Sequence, residues 1–445
     1  MKRDIERALL LWKNDPPRLP LLVRGARQVG KSYTVVAFGR EQFEDLLEVN
    51  FELEPRYGAC FDGTLEPQRV LDNLAVVSGH AVVPGKTLLF LDEVQVCPRA
   101  ILALRYFHEK LPALHVIAAG SLVEFAMAQE DFRMPVGRVQ YLFMRPLSFG
   151  EFLDAVGQTQ AREQVRACRL SAPLPPVLHQ HLLSQVRTYL AVGGMPAAVN
   201  EYAASGSVTR CGRVQAAIAQ TYRDDFGKYA ARARAPHLQS VFSAVPRMVG
   251  RKFKYSAVDS SVQARELKAA LDLLERAGVV YRVRQTSGAG LPLEADADDR
   301  NFKVAFLDVG LMQNLCGLRG EALLAEDLLS LHSGALAEQF VGQELVAGAE
   351  PSERPALHYW AREARTSNAE VDYLVAHGSR VFPLEVKSGK TGSLRSMHLF
   401  LKQYGAACGI RVAQQPLGYE PPVVSTPLYA IESLGRLVSE AMGRR

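Results

Sequence analysis

"PLLVRGARQVGKSYTVV", residues 20–36, decides how the rest of the chain is read. Leu21, Leu22 and Val23 form a short apolar run of the kind that makes a buried strand, and "SYTVVAF" can open a helix. Between them, Gly25-Ala26-Arg27-Gln28-Val29-Gly30-Lys31-Ser32 has the spacing G-x-x-x-x-G-K-[ST]. Strand, loop and helix in that order turn the spacing into a phosphate cradle rather than a glycine-rich turn. Gly25 and Gly30 let backbone N–H groups wrap the phosphates, and the helix N-terminus adds partial positive charge. Lys31 is expected to reach the β- and γ-phosphates and Ser32 to ligate Mg²⁺, with Tyr33 closing the binding stretch. The expected ligands are ATP and Mg²⁺.

Two more strand ends belong with this loop. "KTLLFLDEVQ" (86–95) is a continuous apolar run, Leu88 to Leu91, closed by Asp92-Glu93. Such a run predicts a central parallel strand buried on both faces, and the C-terminal ends of such strands are where open α/β sheets bind ligands. Asp92 is expected in the Mg²⁺ shell, and Glu93 is expected to polarise the attacking water. "LHVIAAGS" (114–121) is a third strand, and Ser121 at its end is placed to sense the γ-phosphate or the water. Ser121 draws its weight from following the other two motifs in order.

In these residues the chain resembles the AAA-type P-loop ATPases, in particular a broad prokaryotic group beginning "GARQVGKS/T". Ser32 stands where many of that group have Thr, and the hydroxyl is kept. The resemblance implies that Arg138, just ahead of the apolar "VQYLFM" (139–144), is an arginine finger on the γ-phosphate of a neighbouring subunit, and hence a homo-oligomer. A surface arginine is the plainer reading of that one residue. "RPLSFGEF" (145–152) resembles the passage from core to helical lid. "LAVGGMPAAV" (190–199) resembles the lid motif, with Gly193-Gly194 turning the chain and Pro196 suited to a first helical turn.

The bulk numbers agree with a soluble α/β protein. A chain of 445 residues suggests about two to four domains, and 48% apolar with 22% charged residues is a globular composition. No apolar run approaches the roughly 18 to 20 residues of a membrane helix, so no membrane partner is expected. Six scattered cysteines without a C-x-x-C pair argue against a disulfide framework or zinc site and fit a reducing cytoplasm. The net charge of +5 permits a nucleic-acid partner without demanding one.

From His237 to Arg284 the pattern is helices followed by an extended piece. Leu267, Ala270, Leu271, Leu274 and Ala277 make one apolar helix face, and Gly278 stops that helix. Helices then a strand suggest a winged helix, and the AAA-type group has one here. Arg247, Arg251, Lys252 and Lys254, interleaved with Phe253 and Tyr255, are suited to phosphates. Yet Arg265 and Lys268 on the would-be reading helix mix with Glu266, Asp272 and Glu275, so a DNA reader and a packing module both stay open. "RQTSGAGLPLEADADDR" (284–300) reads as a linker or loop.

The C-terminal region places acids in apolar settings. In "GALAEQFVGQEL" (334–345), Glu338 shares a helix face with Ala335, Val341 and Leu345, and a carboxylate there needs a partner or a job. In "AEVDYLV" (369–375), alternation turns Val371, Tyr373 and Val375 one way and Asp372 the other. "VFPLEVKSGK" (381–390) puts Glu385 and Lys387 together on one strand face, and a hairpin turn at 377–379 brings Asp372 beside Glu385. The set resembles the PD-(D/E)xK, or restriction-endonuclease-like, superfamily. The resemblance implies catalytic Glu338, Asp372, Glu385 and Lys387, with Asp372 and Glu385 as Mg²⁺ ligands.

The expected fold is therefore α/β: an AAA-type P-loop core (1–152), a helical lid (153–232), a winged-helix module (233–290), a linker and bridging segment (291–330) and a restriction-endonuclease-like domain (331–445). The expected function is an ATPase acting on nucleic acid, DNA rather than RNA, with a Mg²⁺-dependent nuclease at its end. The alternative is a nucleotide-gated switch whose nuclease-like domain binds a partner without cutting.

Overall fold

The computed structural model describes residues 1–15, 18–120, 123, 137–229, 235–318, 333–364, 367–387 and 393–444. Ser121, expected at the end of the third strand, lies outside the described residues. The chain divides into two compact units: residues 2–145 with 350–354, and residue 1 with 146–349 and 355–445.

In the first unit the elements run α1 (Glu6–Asn14), β1 (Leu21–Arg24), α2 (Lys31–Gln42), β2 (Asp45–Asn50), α3 (Pro67–Ser78), β3 (Thr87–Asp92), α4 (Pro98–Lys110), β4 (His115–Ala119) and β5 (Gln140–Phe143). The strands make one sheet of order β2-β3-β4-β1-β5, and each neighbouring pair is parallel. Every residue of β3 and β4 is buried, as continuous apolar runs require of central parallel strands. Because the strands all run one way, Arg24, Asn50, Asp92 and Ala119 end at a single edge. That edge is where the functional loop emerges.

The second unit opens with helices α5 (Phe149–Ala155), α6 (Thr159–Ala167), α7 (Pro176–Val192), α8 (Pro196–Ser205), α9 (Val208–Tyr229), α10 (Ala235–Ala244) and α11 (Ala264–Arg276). It continues with β6 (Val280–Gln285), β7 (Asp298–Phe306), α12 (Val309–Leu315), α13 (Ser333–Ala347), β8 (Leu357–Ala364), β9 (Ser367–His377), β10 (Arg380–Val386), α14 (Arg395–Tyr404), β11 (Gly409–Ala413), β12 (Gly418–Glu420), β13 (Val423–Pro427) and α15 (Leu434–Gly443). Helix α5 begins at a capping box: Glu151 N donates to Ser148 Oγ at 3.1 Å and Ser148 N to Glu151 Oε2 at 3.0 Å.

All eight strands of this unit belong to one sheet, β12-β13-β11-β10-β9-β8-β6-β7. This corrects the expectation of separate domains. In the expected linker and bridging segment, 291–330, the sequence "FKVAFLDVGLMQNLCG" (302–317) reads as strand, turn and helix, and strand β7 and helix α12 lie there. Its strand forms because Phe302, Val304 and Phe306 are buried, and because the Gln339 amide bonds both Phe306 N and Phe306 O at 2.7 Å. The hairpin β6–β7 also has no free edge at β6, whose other side pairs in parallel with β8. The expected module 233–290 and the expected domain 331–445 therefore share a sheet rather than standing apart.

Buried acids fasten the helices to this sheet. Asp308 accepts from Gly194 N at 2.6 Å and Leu311 N at 2.8 Å, docking the Gly193-Gly194 turn on the corner after β7. Glu344 of α13 accepts from Phe149 N at 2.8 Å. Burial pushes the Glu344 carboxyl up to about 8, with the charges of Glu432 and Glu151 adding to the rise. The fold therefore keeps a proton that the unfolded chain loses above its ordinary range, near 4.5. Stability from this group falls as pH rises between those two values and levels off above about pH 8. Glu344→Gln keeps the acceptor and removes the ionisation. Thermal melts are expected to show the variant gaining on the order of 2 kcal/mol over wild type at pH 8 and little at pH 5.

Candidate functional site

The loop between β1 and α2 wraps tightly against the end of β5. A Cβ on Gly25, whose φ is 143°, would lie 2.1 Å from Met144 O, so no other residue fits there. Gly30, at φ 94°, opens α2 in the left-handed region. Among the described residues the non-glycine positive-φ positions are Gln28 (63°) and Glu93 (53°). One lies in this loop and the other follows β3 at the same sheet edge, and held strain of this kind gathers at functional sites. Ala26 and Val29 are buried and anchor the loop, whereas Tyr33 is 64% exposed at the start of α2.

The charged groups meet at this edge. Lys31 is buried, and its ammonium donates to Gly25 O at 3.0 Å and Ala26 O at 2.8 Å, which holds it at the loop. Ser32 hydrogen-bonds the Asp92 side chain, joining the first residues of α2 to the end of β3. Burial pushes the Asp92 carboxyl up to about 6; the Ser32 bond opposes the rise, and the charges of Glu93 and Glu48 reinforce it. A hydroxyl and a buried carboxylate side by side are the donor set that Mg²⁺ with phosphate oxygens uses, so these residues fit the ion. Glu93 accepts from the Gln95 amide.

Two partners of this edge escape the motif reading. Asn50, ending β2, donates to Asp92 Oδ2 at 3.1 Å. A polar residue closing the strand "DLLEVN" (45–50) is the signal that could have found it. Arg3 is buried and braces the loop from outside, donating to Val29 O at 3.0 Å and Arg145 O at 2.8 Å. No local pattern announces Arg3. Arg138 precedes β5, at the sheet edge opposite its own loop, with Nε 3.3 Å from Glu109 Oε1.

A family model described as an AAA domain matches residues 17–153. This part of the chain is an AAA-type P-loop ATPase. Two further models, both described as domains of unknown function, match residues 183–322 (DUF8612) and 333–422 (DUF4143). Among solved structures, the chain is similar to a Walker-type ATPase of Pyrococcus abyssi, at 16% identity over 71% of this chain and 95% of that one, with a TM-score of 0.44. The ORC1 protein of Aeropyrum pernix in complex with DNA has 14% identity over 70% and 90%, with a TM-score of 0.29. AMPPCP-bound DnaA of Aquifex aeolicus has 10% over 61% and 85%, with a TM-score of 0.27. Comparison with curated proteins finds no match. The assignment of the ATPase rests on the family match and the loop; the structural likenesses are loose.

The C-terminal acids meet a residue that the sequence reading did not select. Lys303, on β7, has a side chain only 3% exposed, with its ammonium 2.5 Å from Glu370, 3.4 Å from Glu338 and 3.7 Å from Asp372. Asp372 reaches it through a β-bulge. His358 opposes Leu374 and Trp360 opposes Val371, so Asp372 and Tyr373 together face Tyr359 alone. This corrects the strict alternation: Tyr373 also turns toward α13, where its hydroxyl donates to Glu338 O at 2.9 Å. Asp372 Oδ2 accepts from Val386 N at 2.8 Å, leaving Oδ1 toward Lys303. Glu385 Oε1 pairs with Lys387 at 2.5 Å, and the Met397 backbone amide also faces the buried Glu385 carboxyl.

Burial raises the pKa of Glu338, Asp372 and Glu385; the charge of Asp372 adds to the rise at Glu338, and the lysines oppose it. Among the described residues no group of three or more His, Cys, Asp or Glu side chains is arranged to hold a metal ion. Asp372 and Glu385, expected as Mg²⁺ ligands, do not fit one as they stand: an ammonium and a backbone amide take the Asp372 oxygens, and Lys387 takes one oxygen of Glu385.

Protonation of Asp92 opposes Mg²⁺ binding, so the apparent affinity for MgATP is expected to fall up to about tenfold per pH unit below pH 6. Isothermal titration at pH 5 to 8 checks this, and Asp92→Asn should bind weakly with a flat pH profile.

Proposed function

We propose that this ATPase uses Mg²⁺-ATP to act on DNA as a cytoplasmic homo-oligomer, and that its C-terminal domain has a nuclease-like fold that does not cut. The meeting of Lys31, Ser32, Asp92 and Glu93 at one sheet edge carries the first part. Lys31 and the loop amides would hold the phosphates, Ser32 and Asp92 would hold the ion, and Glu93 would orient water and accept its proton. The ion, when bound, offsets the phosphate charge. The position of Arg138, far from its own loop, supports donation to a neighbouring subunit. Six cysteines without a C-x-x-C pair are consistent with the cytoplasm.

DNA is supported by a basic loop beside the acid set. Arg247, Arg251, Lys252 and Lys254 are exposed, and Phe253 fixes the loop by stacking on Phe302, ring centroids 5.4 Å apart. Phe253 N donates to Phe302 O at 2.9 Å, one residue from Lys303. Helix α11 is less suited to reading bases, because Lys268 pairs with Asp272 at 3.0 Å and Arg282 holds both Asp272 and Glu275. The nuclease-like fold is supported by the order of α13, the β9–β10 hairpin, α14 and a β11 parallel to β10.

A second reading, a Mg²⁺-dependent nuclease, is favoured by the buried Glu385 carboxyl lying beside Lys387 and near Asp372. Assays on the purified chain separate the two. Glu93→Gln is expected to keep ATP binding and lose about 100-fold or more in turnover. DNA should stimulate the wild type, and the double change Arg251→Glu, Lys252→Glu should remove that stimulation; turnover indifferent to DNA would dispose of the DNA assignment. Cleavage of DNA by wild type with Mg²⁺ or Mn²⁺ would favour the nuclease.

A further inference from the structure

We propose that Lys303 is the built-in counter-cation of the C-terminal acid set, taking the place that a divalent ion would fill and closing the set to metal. The inference rests on the reading of this domain as nuclease-like, and it adds the residue that keeps the domain from cutting.

Lys303 comes from β7, outside the segments that supply the acids: Glu338 lies on α13, and Glu370 and Asp372 lie on β9. Its neighbours Phe302 and Val304 are both buried, so the strand is held in the core and the ammonium is delivered into the cluster with little freedom to leave. A buried ammonium demands compensation, and here three carboxylates lie within 3.7 Å while the Tyr359 ring faces it at 5.3 Å.

With every carboxyl ionised, Glu338, Glu370, Asp372 and Glu385 would carry four negative charges, and Lys303 and Lys387 return two, leaving two. A neutral side chain at 303 would leave three in a largely buried cluster, an environment that draws a divalent cation. Mg²⁺ and Mn²⁺ sit about 2.1 Å from oxygen ligands. An ion at that distance from both Glu338 and Asp372 would meet the Lys303 ammonium, which already lies within 3.4 and 3.7 Å of those carboxylates. One cation excludes the other.

A plain structural ion cluster would share these distances, so the test must read metal uptake rather than stability. Mn²⁺ binding to the full chain without nucleotide is followed by the loss of the free-ion electron paramagnetic resonance signal. Wild type and Asp372→Asn are expected to take up Mn²⁺ equally weakly. Lys303→Met is expected to gain a site at least about 30-fold tighter than any in wild type, lost again when Asp372→Asn is added. Circular dichroism melts confirm folding, and Lys303→Gln stands in if Lys303→Met does not fold.

Asp372-dependent Mn²⁺ binding by the wild type would overturn the inference while leaving the nuclease-like set intact. A folded Lys303 variant that takes up no Mn²⁺ would overturn it too, and would remove the reading of the set as a metal centre. Should neither variant fold, the comparison of wild type with Asp372→Asn decides alone: equal uptake upholds the inference and unequal uptake defeats it. Hydrolysis of ATP by the same samples reports on the first unit independently.

Discussion

Five strands running in one direction are the constraint on which the ATPase unit of this chain depends. Parallel order forces the ends of β1, β2, β3 and β4 to one edge and gathers there the loop amides, Asn50 and Asp92, which no hairpin-built sheet would bring together. The tight loop then leaves no room for a side chain at Gly25, packed against Met144 O, and holds Gln28 and Glu93 in left-handed conformations. The strain sits where chemistry is to happen and is offset by the buried strands behind it.

Both units place charge in low-dielectric surroundings, and each solves the problem differently. Asp92 keeps its proton more readily than an exposed aspartate, with Asn50 and Ser32 as hydrogen-bond partners; under the proposed function it is the carboxylate that awaits a cation. The C-terminal acids already have one. Lys303 compensates Glu338, Glu370 and Asp372 from within the fold, which is the feature that separates a site ready for an ion from one already satisfied.

What was legible in the sequence follows contiguity. The phosphate loop, its strand and its helix lie within residues 20–36, and Asp92-Glu93 close an unbroken apolar run, so local pattern suffices for them. Arg3 and Lys303 were not legible, because each acts on partners distant in the chain: Val29 and Arg145 for one, Glu338, Glu370 and Asp372 for the other. A lysine inside the apolar "NFKVAF" (301–306) was a signal of the same kind as Glu338 in its helix. Alternation failed at Asp372 and Tyr373 because a single bulged residue reverses the faces that follow. The boundary between 233–290 and 331–445 did not hold, because strand pairing of β6 with both β7 and β8 is a long-range property that the acidic, glycine-containing loop between them conceals.

The account stands on the phosphate loop gripping a nucleoside triphosphate through its amides and Lys31. Calorimetric titration of ATP in Mg²⁺ into wild type and Lys31→Ala tests this most directly. Saturable binding by wild type, weakened about 100-fold or more in the variant, is the predicted result, since one desolvated charge-assisted contact is worth roughly that factor. Equal binding by the two proteins, or none by either, would contradict it.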